Sequence, residues 1–184
     1  MKSIIFPAEK RHISEIQYLY ELVALQKDGI IRNEREITKE YIENFLDNSM
    51  KNGLILLARN NTMLIGEIHA YTPGIYAFRH ILSNLTIVVH PEYQSMGVGR
   101  RLFTHFLDTV KEHYRHILRI ELFGRSHNHK VHAFYQSLGF VDEGRHEKKI
   151  LNRDMTLETP IHMAWFNPRF NPQNSNRKPH GGKR

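Results

Sequence analysis

The stretch Asn84-Leu85-Thr86-Ile87-Val88-Val89-His90-Pro91-Glu92-Tyr93-Gln94-Ser95-Met96-Gly97-Val98-Gly99-Arg100-Arg101-Leu102-Phe103-Thr104-His105-Phe106-Leu107 decides how the rest of the chain is read, because it runs strand, loop, helix. Leu85 to Val89 is apolar and largely β-branched, and Pro91 ends the run. Apolar residues then recur every fourth position at Val98, Leu102, Phe106, Val110 and Tyr114. A turn containing Gly97 and Gly99 therefore feeds a helix N-terminus, where four amide N–H groups lack internal partners and the macrodipole adds positive charge. Such a turn can hold a phosphate with its backbone, and the two glycines let the chain approach the anion closely. Arg100 and Arg101 fall in the first helical turn, a poor place for cations unless an anion such as a pyrophosphate is bound there. Plain α/β scaffolding uses the same succession, so the loop by itself leaves a ligand and a scaffold both open. The third glycine of a dinucleotide fingerprint is missing, and no Gly-Lys-Ser/Thr follows.

Working outward, Leu54–Ala58 and Met63–Tyr71 read as strands joined by an Asn60-Asn61 turn, a hairpin ended by Thr72-Pro73-Gly74. After the central helix, the strand from Ile117 to Phe123 puts Leu118, Ile120 and Leu122 on one face and Arg119, Glu121 and Phe123 on the other. A short helix, His129–Leu138, is closed by Gly139, which adopts the left-handed conformation at little cost. Toward the N-terminus, Ser3–Phe6 is a first strand. Apolar residues at 16, 19, 20, 23 and 24 then mark a helix ending near Gly29, and Thr38 caps a second that stops before Gly53. The charged Asn33–Glu36 between them reads as loop. Two late strands are expected near Gly144–Leu151 and Thr159–Phe166, joined by Asn152-Arg153-Asp154. The order β-α-α-β-β-β-α-β-α-β-β is that of an α/β protein, a mixed sheet with helices on its faces.

The 184 residues, 40% hydrophobic and 24% charged, suffice for one domain with a sizeable core. The absence of cysteine removes disulfides, thiolate nucleophiles and cysteine metal sites, and fits a reducing compartment. No signal-like or membrane-spanning apolar run occurs, so a cytoplasmic location and no membrane partner are expected. The net charge of +7 invites a nucleic-acid reading. However, residues 167–184 hold five basic and no acidic residues, leaving 21 basic against 19 acidic before them. We therefore expect a single domain over 1–166 and a basic, disordered tail over 167–184, rich in Pro, Asn and Gly, with nucleic acid a minor option. Of His127, His129 and His132, the pair His129 and His132 lacks a third matched ligand and no carboxylate is near in sequence, so no metal is expected.

A second motif turns the glycine loop into something more specific. Val89 to Pro91 followed by Gln94-Ser95-Met96-Gly97-Val98-Gly99 resembles the acyl-CoA pyrophosphate loop of the GNAT superfamily of N-acetyltransferases. The segment from Asn128 to Phe140 resembles the Asn-X-X-Ala-X-X-Leu-Tyr-X-X-X-Gly-Phe element of the same superfamily. Asn128, Phe134, Tyr135, Gly139 and Phe140 are in register, with Val131 in place of the alanine. The element order matches as well, over about residues 3–166.

That resemblance implies the GNAT fold and transfer of an acetyl group from acetyl-CoA, as co-substrate, to a primary amine of a small molecule or amino acid. It implies pantetheine contacts from the backbone of Ile87, Val88 and Val89, and pyrophosphate contacts from Gln94, Ser95, Met96, Gly97, Val98, Gly99 and Arg100. Asn128 would touch the CoA arm, and Tyr135 would be the acid that protonates the departing thiolate. Some members carry a glutamate where this chain has Phe123. Glu121, two residues earlier on the same strand face, is the candidate base, acting through water; Glu67 and His69 are weaker alternatives, His90 beside Pro91 reads as a loop residue, and a high-pH amine needs no base at all. Two other readings stay open, acetylation of a protein N-terminus or lysine and a non-catalytic acyl-CoA-binding regulatory domain; under each reading a homodimer stays open as well.

Overall fold

The computed structural model describes residues 3–26 and 29–173. In chain order the elements are β1 (Ile4–Pro7), α1 (Ile13–Ala24), α2 (Lys39–Asn52), β2 (Gly53–Arg59), β3 (Leu64–Tyr71), β4 (Ile81–Val89), α3 (Val98–His113), β5 (Arg119–Gly124), α4 (His129–Ser137), β6 (Val141–Arg145), β7 (Ile150–Leu151), β8 (Leu157–Glu158) and β9 (Ile161–Phe166). Seven of the strands form one sheet in the order β1-β2-β3-β4-β5-β9-β6, and β7 and β8 pair separately. All neighbours in the main sheet are antiparallel except β4 and β5. A parallel pair needs a crossover, and α3 supplies it.

Burial follows from what covers each strand. β2 and β3 are near-continuous apolar runs because both of their faces are covered: α1 and α2 pack on one side, α3 on the other. Leu54, Leu56, Ile68 and Ala70 join the α3 core, while Ile55, Leu57 and Leu64 join the core under α1 and α2. The stripe expected from the fourth-position repeat is seen on α3, whose Val98, Leu102, Phe103, Phe106, Leu107 and Val110 are buried. Phe103 touches the rings of Phe106, Phe134, Tyr135 and Phe140, locking α4 against α3. Thr38 caps α2 by accepting a hydrogen bond from the Tyr41 amide at 3.1 Å.

Three boundaries differ from the sequence expectation. The two late strands resolve into four: β6 and β9 join the sheet, and β7 and β8 make a small hairpin around the expected Asn152-Arg153-Asp154 turn. β6 escaped notice because all five of its residues are exposed and carry no apolar alternation. Asn33–Glu36 is a 3₁₀ turn closed by a capping box rather than open loop, since the Asn33 side chain and the Glu36 carboxylate each accept a backbone N–H. Residues 167–173, placed with the expected tail, are docked. Asn167 is buried, its amide donates to the Leu118 carbonyl and its side chain to the Ile117 carbonyl, and the Asn171 amide reaches the Arg115 carbonyl. Residues 174–184, the rest of that tail, lie outside the described residues. Among the described residues no helix is long and apolar enough to cross a membrane.

Candidate active site

β4 and β5 are paired only where Ile81 meets Arg119 and Leu82 meets Ile120. Past that point β4 stays on the β3 ladder as far as Val89, and β5 stays on the β9 ladder as far as Gly124. The strands therefore splay into a wedge, with two facing backbone edges that no ladder joins. The bend begins in β4, where His69 and Tyr71 of β3 are answered by Thr86 and Ser83, one residue too many, and Asn84 adopts φ +55°. A bulge of this kind bends and twists its strand, and asparagine tolerates the left-handed conformation better than most residues. Ile87, Val88 and Val89 lie along the open edge. Ile87 and Val89 face the α3 core and Val88 the core under α1 and α2.

At the wide end of the wedge the chain turns through Pro91–Tyr93 into the glycine loop. The His90 amide is tied to the Ile65 carbonyl at 3.0 Å, and the Gln94 side chain donates to the Val89 carbonyl at 3.1 Å. Ser95 at φ +60° and Gly97 at φ +80° curl the loop, and Gly97 is the residue before the first turn of α3, with no side chain covering the helix amides. A cleft of about 360 Å³ lies over this N-terminus. Val89, Gln94, Ser95, Gly97, Gly99 and Arg100 form one side; Lys130, Val131 and Phe134 of α4 form the other. Arg100 stacks 5.3 Å from the Phe134 ring centroid and donates to the Ser137 hydroxyl at 2.9 Å, so its guanidinium is held at the rim.

Of the expected ligand contacts, then, Val89, Gln94, Ser95, Gly97, Gly99 and Arg100 line one cleft. Val98 turns inward and is buried, Met96 projects outward, and Asn128 caps α4 by accepting the Val131 amide at 3.1 Å. Lys130 was not anticipated, although a signal existed: it is a cation in the first turn of a helix, the same unfavourable placement that drew attention to Arg100.

Tyr135 is placed by the end of its own helix. The Phe140 amide reaches back to the Tyr135 carbonyl at 3.1 Å and the Gly139 amide to the Gln136 carbonyl at 3.0 Å, with Gly139 at φ +92°. This is the Schellman closure, completed by contact between the Tyr135 and Phe140 rings. Tyr135 is packed between α3 and the end of β5, and burial pushes its hydroxyl up to about 12. It stays protonated at any ordinary pH and so remains a proton donor.

Glu121 lies on the opposite sheet face. Its oxygens meet the Arg119 Nε at 2.8 Å and the Ser83 hydroxyl at 2.9 Å, and Arg119 also forks onto Glu143 of β6. Glu67 and His69 are buried under α1 and α2: the Tyr20 hydroxyl donates to Glu67 at 2.6 Å, His69 Nδ1 sits 3.0 Å from the same carboxylate, and Phe45 stacks on the imidazole at 4.1 Å. His127 and His132 pair with Glu158 and Asp142. The C-terminal end of α1 reaches both the cleft and the late hairpin. Gln26 accepts from Gln94 at 2.9 Å, and Arg153, on the β7–β8 turn, donates to the Ala24 carbonyl at 3.0 Å.

Comparison with known proteins bears on the fold and the family. In sequence, 64 residues are 33% identical to the L-amino acid N-acyltransferase MnaT of Escherichia coli (strain K12), a match spanning 35% of this chain and 36% of that protein's length. In structure, an acetyltransferase of the GNAT family from Streptococcus pneumoniae superposes with TM-score 0.81 at 24% identity, covering 90% of this chain and 99% of that one. The yncA protein of Salmonella typhimurium, solved with its cofactor acetyl-CoA, gives 0.78 at 19% identity over 90% and 94% of the two chains. The model of the acetyltransferase (GNAT) family matches residues 16–140, from α1 through the Schellman turn, and the chain belongs to that family.

Proposed function

We propose that the chain transfers an acetyl group from acetyl-CoA to the primary amine of a small molecule or amino acid, directly within a ternary complex. The wedge between β4 and β5, opening onto the glycine turn, carries this reading. An amide-bearing arm can bond to the free β4 edge at Ile87–Val89 as an added strand. A pyrophosphate at the end of that arm would meet the α3 amides from Gly97 to Arg100, with Arg100 and Lys130 on either side. The residues present therefore fit the co-substrate. When bound, it supplies the activated acyl group; the chain supplies position, charge and proton transfer. Tyr135 is the group proposed to protonate the leaving sulfur. Glu121, held by Arg119 and Ser83, places negative charge on the face where a cationic amine would approach. The likeness to an amino acid N-acyltransferase supports a small acceptor.

The test is turnover of the full chain with acetyl-CoA and a panel of L-amino acids, their amides and polyamines, followed as free CoA thiol and as N-acetyl product. Thiol and product rising together with one class of amine is the expected result. CoA binding with no amine-dependent thiol release would overturn the reading.

A further inference from the structure

The second face of the sheet differs sharply between its two halves, and the difference isolates one imidazole. α1 and α2 pack on β2, β3 and β4. On β5, β9 and β6 the same face is partly open: Phe123 is 42%, Phe166 45% and Val141 49% exposed, and the His162 side chain 18%. The shelf so formed borders the wedge, since β5 is one of the wedge's two edges, and the β7–β8 turn bridges to α1 through Arg153. An amine meeting a thioester laid along β4 from this side would approach across the shelf.

The ionisable groups of the shelf are few. Arg119 and Glu121 come from β5, Glu143 from β6, His162 from β9, and His146 and Lys149 from the turn after β6. Both carboxylates already hold the Arg119 guanidinium, and Glu121 also accepts the Ser83 hydroxyl, so their oxygens are engaged by donors. Lys149 lies over the Phe123 ring at 3.9 Å, with its ammonium 3.4 Å from His146 Nδ1. His162 is different. It is the ladder partner of Phe123, so the two side chains share a face, and their ring centroids are 5.0 Å apart. Its Nδ1 is 3.5 Å from Glu143, so Nε2 is the ring nitrogen turned away from that carboxylate.

Resting on the acetyl-transfer reading above, we propose that His162 is the proton acceptor for the incoming ammonium, with Glu143 and Arg119 as positioning residues. Nε2 takes one proton from the ammonium and passes it to solvent, leaving a neutral amine. Its nitrogen forms the C–N bond while the C–S bond breaks. As the C–S bond breaks, a second proton passes from that nitrogen to solvent while Tyr135 gives its hydroxyl proton to sulfur and is reprotonated from solvent; the third proton stays on the amide. Burial lowers the proton affinity of His162, against the opposing pull of Glu121 and Glu143, so the imidazole is neutral at neutral pH and available as a base.

The experiment compares wild type with His162→Gln and His162→Ala, using acetyl-CoA and the most active amine of the panel. For His162→Gln, kcat/KM at pH 7 should fall about 100-fold, with CoA affinity retained. The deficit should shrink toward pH 10, where the amine loses its proton unaided. The acidic limb of the wild-type pH profile should move up to the titration of the amine itself, and imidazole in solution should restore part of the His162→Ala rate. A His162→Gln enzyme with wild-type rate and profile would overturn the assignment while leaving acetyl transfer intact. A uniform loss at all pH values without imidazole rescue would also overturn it, marking a structural role. Absence of turnover by wild type with every amine overturns both readings.

Discussion

The two halves of the sheet obey different rules. In β2 and β3, covered on both faces, almost every residue is buried; in β5 burial alternates, and in β6 it disappears. A strand buried on both faces has no surface left with which to meet a ligand, so its side chains serve packing. The open face of the C-terminal half can hold charged and aromatic groups that a sealed core would not tolerate without partners. The wedge sits at the boundary between these regimes, with one edge from the packed half and the other from the half that keeps a free face.

The sharpest contrast should come from Tyr135→Phe. Removing one hydroxyl leaves the Schellman turn and the ring contacts in place. Turnover should drop by about 10²- to 10⁴-fold, with a melting temperature near wild type, measured by steady-state kinetics beside thermal unfolding. A wild-type rate would sink the acid role. Next, Ile68→Ala, in the doubly covered half, should cost about 2–5 kcal/mol in urea unfolding because the cavity is walled by strands and α3. A loss below 1 kcal/mol would blur the distinction between the halves.

A smaller effect is expected at Glu158, a buried carboxylate gripped by Arg125 at 2.8 and 3.0 Å. Despite desolvation, which acts the other way, hydrogen bonds and the charge of Arg125 hold it below the usual carboxylate range. A group depressed on folding stabilises above its unfolded value and loses that contribution as pH falls through the folded one. Glu158→Gln should therefore lower the melting temperature at pH 7, and the two proteins should converge on acidification below about pH 4. The least change in stability should follow Phe123→Ala, within about 0.5 kcal/mol, because nearly half of that ring already faces water. Its KM for the amine should nevertheless change, and a large loss of stability there would show that the face is not free.

How much the sequence revealed tracks the same division. The fourth-position stripe of α3 and the apolar runs of β2 and β3 announced themselves because burial on fixed faces leaves a periodic trace. The glycine loop and the Asn128–Phe140 element were legible because each needs particular residues: a left-handed Gly97, a left-handed Gly139, a capping Asn128. β6 left no trace, being held by ladder bonds to β9 that any sequence can make. Asn167 docks through a polar side chain and a backbone amide, which apolar patterning cannot register. His162 leaves no mark for a related reason: its importance lies in what faces it across the β5–β9 ladder, a matter of register rather than composition.

The outermost strands have one more consequence, for behaviour at high concentration. A sheet with two free rims invites another chain to add a strand. At one rim β1 is only four residues long and ends in Pro7, which has no amide to donate. At the other, β6 carries Asp142, Glu143 and Arg145 and breaks register between Asp142 and Gly144. Short length and an absent donor guard the first rim; charge and a kink guard the second. Strand addition is thus disfavoured at both rims, while the face around Phe123 stays partly exposed.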